Sequence, residues 1–287
     1  MLTATITPFQ WEFCLVVALG LVAGVLGGML GIGGSIIMIP GLTMIFGPSQ
    51  HLYQATAMIA NVAVSLPAAL RHRKAGAIVW PALKWMLPAA VAFVLVGVWL
   101  SNAAAFSETA GELLLRRVFA AFLVCEIGIN IHRLIKPRQK PTLPPGVKLD
   151  MTHVTAARSF SAGTLMGLIA GLMGVGGGAL AVPLQHMLLK LPLKCCIANS
   201  AAIMCLSASV GAAAKNATLG QHEAPLAGAA FDVTWQQSVV LALLLAPSCW
   251  LGGHLGAVLT HKLPVRWVRV AFVIMMAAAA WRMADLW

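Results

Sequence analysis

Two glycine clusters carry the chain's clearest chemical potential. Gly31-Ile-Gly33-Gly34-Ser35 and Gly174-Val-Gly176-Gly177-Gly178 each interrupt a long apolar run, and each is followed by a proline, Pro40 and Pro183. Without a Cβ, glycine lets its backbone N–H approach a ligand closely. A helix starting just after such a cluster presents unbonded N–H groups and the positive end of its dipole, which together hold an anion. The chemistry expected is recognition of a small oxyanion by Gly31, Gly33, Gly34, Ser35, Gly174, Gly176, Gly177 and Gly178. A tight bend needed only for packing is the competing reading. A nucleotide-binding glycine loop is not, because the strand–turn–helix context it requires is missing.

Polar residues on the following apolar segments form a second tier. Ala55-Thr56-Ala57 aligns with Ala198-Asn199-Ser200 at the 143-residue offset that also relates the glycine clusters. Thr56, Asn199 and Ser200 are therefore expected to line the same site. Asn61, Ser65, Ser207 and Ser209 need partners too, and hydrogen bonds between helices would satisfy any of these groups. Glu126, His186 and His254 lie inside apolar runs and count as functional candidates; a proton relay and a structural pair both fit them. Arg117 and Arg269 occupy equivalent places near the starts of apolar blocks, where snorkelling accounts for them. His72, Lys74 and Lys215 read as interfacial.

The six cysteines (Cys14, Cys125, Cys195, Cys196, Cys205, Cys249) form no Cys-x-x-Cys pair and read as small buried hydrophobes. No Ser–His–Asp set, His-Glu-x-x-His string or carboxylate cluster stands out. No catalytic residue, metal or cofactor is assigned, and an enzyme is not expected.

These residues need a scaffold, and composition says which kind. Of 287 residues 60% are hydrophobic and 9% charged, with mean hydropathy +0.89. A soluble domain carries about 25% charged residues, so this chain cannot clothe a water-facing surface and reads as an integral membrane protein. Its apolar runs have helical length, well beyond the roughly ten alternating residues of a barrel strand. The formal charge of +11 is explained by Lys and Arg in cytoplasmic loops, so no nucleic-acid partner is expected. With Glu12 and no basic segment at the start, a cleaved signal peptide is not expected.

Eight apolar blocks span roughly 11–46, 53–70, 78–100, 113–135, 159–190, 195–214, 236–259 and 264–286. Six suit a single crossing of about 20 residues. The first and fifth are too long, and each is expected to bend at its glycines into two legs. Stripes at Gly20, Gly24 and Gly28, and at Gly163, Gly167 and Gly171, flatten the first legs for close helix packing. Arg71, Arg73 and Lys74 place one loop inside, whereas Glu223 and Asp232 place its counterpart outside. Both termini are then periplasmic.

The fold expected is an all-α polytopic membrane protein of two inverted-topology repeats. Each repeat holds a Gly-rich bent or re-entrant hairpin plus about three crossing helices. Residues 1–135 form the first, 136–158 a Pro-rich cytoplasmic linker, and 159–287 the second. Paired Gly/Pro interruptions in two halves point to a transporter's binding site.

The paired Gly-x-Gly-Gly-[Ser/Gly]-x4-Pro motifs, Gly31 to Pro40 and Gly174 to Pro183, resemble the sulfite exporter TauE/SafE family of permeases. Ala55-Thr56, Ala198-Asn199-Ser200, Leu263-Pro264 and Arg269 add to the resemblance, which covers nearly the whole chain. It implies a bacterial inner-membrane, multi-pass transporter of a small sulfur-containing anion such as sulfite, sulfoacetate or another organosulfonate, by alternating access, with proton coupling in some members. It also implies that both glycine turns border the substrate path. Ser35 opposite Gly178, and Ala57 opposite Ser200, make the halves chemically unequal. The partners expected are the anion and the lipid bilayer, with a homodimer left open. A non-transporting assembly or partner subunit is the alternative, and an intramembrane enzyme a more distant one.

Overall fold

The computed structural model describes residues 10–47, 49–103, 109–135, 151–176, 178–221, 223–226, 229–259, 270, 273–278 and 280–281. Among them are the helices α1 (Gln10–Leu30), α2 (Ser35–Phe46), α3 (Gln50–Lys74), α4 (Trp80–Ser101), α5 (Thr109–Ile135), α6 (Ala156–Met173), α7 (Gly178–Leu188), α8 (Leu193–Thr218) and α9 (Trp235–Leu259), and residues 273–278 of the eighth block are helical as well. The two overlong apolar blocks are each split at their glycines, into α1 and α2 and into α6 and α7. A short antiparallel hairpin, β1 (Glu223–Leu226) and β2 (Ala229–Asp232), pairs Glu223 with Asp232 where only an acidic loop is expected.

Among the described residues, six helices are long and apolar enough to cross a bilayer: α1 from Glu12, α3, α4, α6, α8 and α9. Three fall in each half. The fourth block forms α5. The eighth block lies largely outside the described residues, as do Leu263-Pro264, Arg269 and most of the linker. Helix α6 begins at Ala156, inside the span assigned to that linker.

Packing places α3 and α8 at the centre, where they are far more buried than the other four spans. α3 lies against α8 and α9, while α4 lies against α6 and α8. α1 packs along α9 and α6 along α4, so each half lends its first helix to the other. The glycine stripes make these two contacts. A Cβ on Gly24 would sit 2.7 Å from the Cys249 carbonyl oxygen, and one on Gly28 would sit 2.6 Å from that of Gly253. Gly163, Gly167 and Gly171 abut the carbonyls of Met86, Ala90 and Val94 in the same way. Met86 with Leu245, Ala90 with Cys249, and Val94 with Gly253 share one offset, 159 residues. The two helix contacts are therefore copies of one contact.

Candidate functional site

The four glycines at which the chain turns have left-handed backbones: Gly31 (φ 66°), Gly33 (φ 79°), Gly174 (φ 70°) and Gly176 (φ 67°). Any other residue is strained there, which explains why both clusters use glycine at those places. Gly174 serves as the left-handed cap that ends α6. The helices after the turns, α2 and α7, have 12 and 11 residues. At 1.5 Å per residue they reach about 18 and 16 Å, roughly half of a 30 Å hydrocarbon core.

Each turn is seated against the central helix of the other half. A Cβ on Gly31 would meet Ile197 of α8 at 2.9 Å, and one on Gly174 would meet the Gln54 Cβ of α3 at 2.5 Å. Gly33 and Gly176 both face the same pair, Asn61 of α3 and Met204 of α8. The added Cβ would lie 2.7 Å from Met204 Sδ and 2.9 Å from Asn61 Oδ1 at Gly33, and 2.7 Å from Asn61 Nδ2 at Gly176. Gly178 backs onto the Ile32 carbonyl, its absent Cβ 2.5 Å from that oxygen. The turns thus meet at one place in the buried middle of the bundle.

The hydrogen bonds there are specific. Asn61 Oδ1 accepts from the N–H groups of Gly34 (2.9 Å) and Ser35 (3.2 Å), serving two orphan donors at the start of α2. Ser200 Oγ donates to the Gly31 carbonyl and lies 3.5 Å from that of Gly178. Ser207 Oγ donates to the Gly176 carbonyl at 3.5 Å. The donors at the start of α2 are therefore partly engaged by a side chain, where the sequence predicts them open to a ligand. Among the described residues, Asn61 Nδ2 and Ser35 Oγ are buried here without a protein partner, both on residues of zero exposure.

Gly31, Gly33, Gly34, Ser35, Gly174, Gly176, Gly178 and Ser200 are brought together; Gly177 lies outside the described residues. Thr56 and Asn199 are directed to neighbouring helices. Thr56 Oγ1 lies 3.5 Å from both oxygens of Ser238 on α9. Asn199 Oδ1 accepts from Val79 N–H (2.8 Å) at the start of α4, while its Nδ2 donates to Gln185 Oε1 (3.1 Å). Glu126 is buried, and Asn130 Nδ2 donates to its backbone carbonyl. His186 Nδ1 bonds the Leu191 carbonyl, and His254 is exposed on the outer face of α9. Cys196 and Cys249 are buried as expected of small hydrophobes, but Cys14 and Cys125 face outward. His72 and Lys215 are enclosed by the bundle, against the interfacial expectation.

Sequence reading leaves Gln54, Asn61 and Met204 out of the site. One signal was available: Gln54 pairs with Ile197, and Asn61 with Met204, at the same 143-residue offset as the glycine clusters. Residues that carry a repeat's register and flank its turns have the best claim to touch them.

A duplicated glycine turn between six apolar helices is a feature that can be compared across proteins, and the family model "Sulfite exporter TauE/SafE" matches residues 16–283. The chain belongs to the sulfite exporter TauE/SafE family. As a TauE/SafE protein it belongs to a family of membrane transporters, and the described residues hold six candidate spans. It is similar to the "Probable membrane transporter protein MamO" of Magnetospirillum gryphiswaldense, 31% identical over 284 residues, covering 92% of this chain and 44% of the relative. The chain thus spans less than half the length of that protein, and the same holds for MamO of Paramagnetospirillum magneticum. The "Probable membrane transporter protein YunE" of Bacillus subtilis is 26% identical over 269 residues, covering 89% of this chain and 91% of the relative. No solved structure matches the TauE/SafE chain described here.

Proposed function

We propose that this protein is a secondary transporter that moves a small sulfur-containing anion, such as sulfite, sulfoacetate or another organosulfonate, across a bacterial inner membrane by alternating access. The observation that supports this reading is the meeting of both glycine turns on Asn61 and Met204. There two half-length helices start beside unpartnered Asn61 Nδ2 and Ser35 Oγ. A buried donor without an acceptor is costly, and an oxyanion supplies acceptors at every oxygen. The α2 and α7 dipoles add partial positive charge at the same point.

The exchange of equivalent contacts between halves supports a pseudo-two-fold arrangement, as does the opposite charge of corresponding loops. Inverted repeats make alternating access a natural motion, because one half can adopt the conformation of the other. In this proposal Gly31, Gly33, Gly34, Ser35, Gly174, Gly176, Gly177, Gly178 and Ser200 form the binding layer with Asn61. Thr56 and Asn199 hold neighbouring helices in place around it.

The test is counterflow of labelled sulfite and sulfoacetate into vesicles that hold the purified protein, with and without an imposed pH gradient. Saturable exchange that a gradient accelerates supports the full reading. Exchange indifferent to the gradient removes proton coupling alone. Vesicles that exchange neither anion overturn the proposal.

A further inference from the structure

Lys215 lies in the interior of the bundle, 3% exposed, three residues before Thr218, the last residue of α8. Its ammonium donates to Gln54 Oε1 of α3 and to Ser101 Oγ of α4, the latter at 3.1 Å. Both partners are fully buried and neither is a carboxylate. A charge in a membrane helix is expensive and marks a pathway or a ligand by default. Neutral oxygens orient the ammonium but leave its charge uncompensated.

The donor count reinforces this. An ammonium has three donors, and two are used here. Because Gln54 turns its oxygen to Lys215, its Nε2 amide points away, and that atom is buried with no partner among the described residues. The cluster therefore combines a basic group with a surplus donor, and the component that would complete it is an anionic acceptor. Gln54 is also the residue against which the Gly174 turn is seated. Along α8, Lys215 stands eleven residues beyond Met204, about 16 Å from the level of the glycine layer at 1.5 Å per residue, and its long stem points back toward α3. Position 72, the 143-residue counterpart of 215, holds a buried histidine, a second basic side chain.

We propose that Lys215 and Gln54 form an anion-contact subsite between the α3, α4 and α8 helices, the basic group by which the transporter selects anions before they reach the glycine turns. The inference rests on the transporter reading and adds a residue and a location to it. Lys215 is here a specificity residue, distinct from the amides of the turns.

The test titrates sodium sulfite, sulfoacetate, phosphate and acetate against the full chain in a lipid-free neutral detergent, so that no phospholipid headgroup supplies the anion. Wild type, Lys215→Met, Lys215→Arg and Gln54→Leu are compared, with melting temperature recorded alongside. For the anion that binds, Lys215→Met should weaken affinity at least about tenfold, in line with loss of a charge-assisted hydrogen bond, with Lys215→Arg restoring most of it. In vesicles the same change should raise KM while kcat moves little. Unchanged affinity in Lys215→Met overturns the subsite and leaves the sulfur-anion reading intact. Phosphate or acetate bound in place of sulfite, and lost in Lys215→Met, supports the subsite and overturns the sulfur reading. A wild type that binds none of the four overturns both. If Lys215→Met fails to fold, Gln54→Leu carries the decision: weakened binding supports the subsite, and wild-type binding overturns it.

Discussion

Asn61 and Met204 occupy corresponding positions on the two central helices, and each touches both glycine turns. One is a polar amide that caps α2 and the other a flexible thioether. The centre of this bundle is therefore a pseudo-symmetric joint with unlike halves. Its polar side is the first, where Ser35 also stands opposite Gly178. An anion held there would meet donors mainly from Asn61 and α2, with α7 contributing backbone and dipole.

Asn61→Asp separates capping from anion contact. An aspartate keeps an oxygen for the Gly34 and Ser35 amides, and a negative charge near the start of a helix is itself favourable. Folding should survive, with a melting temperature within a few degrees of wild type. The Nδ2 donors, however, become an anionic oxygen that repels an oxyanion. Counterflow should fall to background. Flux at the wild-type rate would remove Asn61 from the substrate path.

Gly176→Ala examines the turn itself. The backbone there has φ 67°, and the added methyl would lie 2.7 Å from Asn61 Nδ2. The left-handed conformation alone costs about 1–2 kcal/mol for a non-glycine residue, and the contact forces Asn61 to shift. Transport should be lost in a protein that still inserts, and Gly176→Leu should behave more severely. Gly128→Ala is the control, since its methyl would meet nothing within 4 Å on α5 and should leave transport unchanged. Equal effects of the two alanines on transport would argue that the turn carries no special role.

The break of each overlong block is legible in the sequence, because clustered glycines next to an apolar helix leave few other conformations. The register of the duplication is legible too, and it pairs Thr56 with Asn199. What this pairing means is not. In the structure Thr56 meets Ser238 and Asn199 meets Val79, two contacts related by the same 159 residues as the glycine-stripe contacts. These matching polar residues thus mark a repeated helix joint. Lys215 misleads for a different reason. A lysine near a helix end reads as snorkelling, and only the packing of α3 and α4 over it reveals that its ammonium is turned inward to Gln54 and Ser101.

Asn199→Ala should act on stability and leave recognition alone. It removes the acceptor for Val79 N–H at the start of α4 and strands Gln185 Oε1 in a buried place. Loss of a capping acceptor costs about 0.5–2 kcal/mol. The melting temperature should drop, whereas KM for the transported anion should stay within about twofold, a shift of only a few tenths of a kcal/mol. A large rise in KM at unchanged stability would return Asn199 to the binding layer.

Gly24→Val probes the exchange of first helices between halves. Its Cβ would lie 2.7 Å from the Cys249 carbonyl and 3.0 Å from Gly252 Cα, both backbone atoms that cannot rotate away. α1 and α9 would have to separate, and close approach of small residues is what holds membrane helices together. Because α1 carries the first glycine turn at its end, the separation would also withdraw Gly31 from Ile197 and Gly33 from Met204. The expected result is loss of a monodisperse peak in detergent along with loss of transport. Gly167→Val, at the copied joint with Ala90, should give the same phenotype with the halves interchanged. If one variant is tolerated and the other is not, the two joints are unequal in strength, and the pseudo-symmetric picture of the bundle needs revision at that joint.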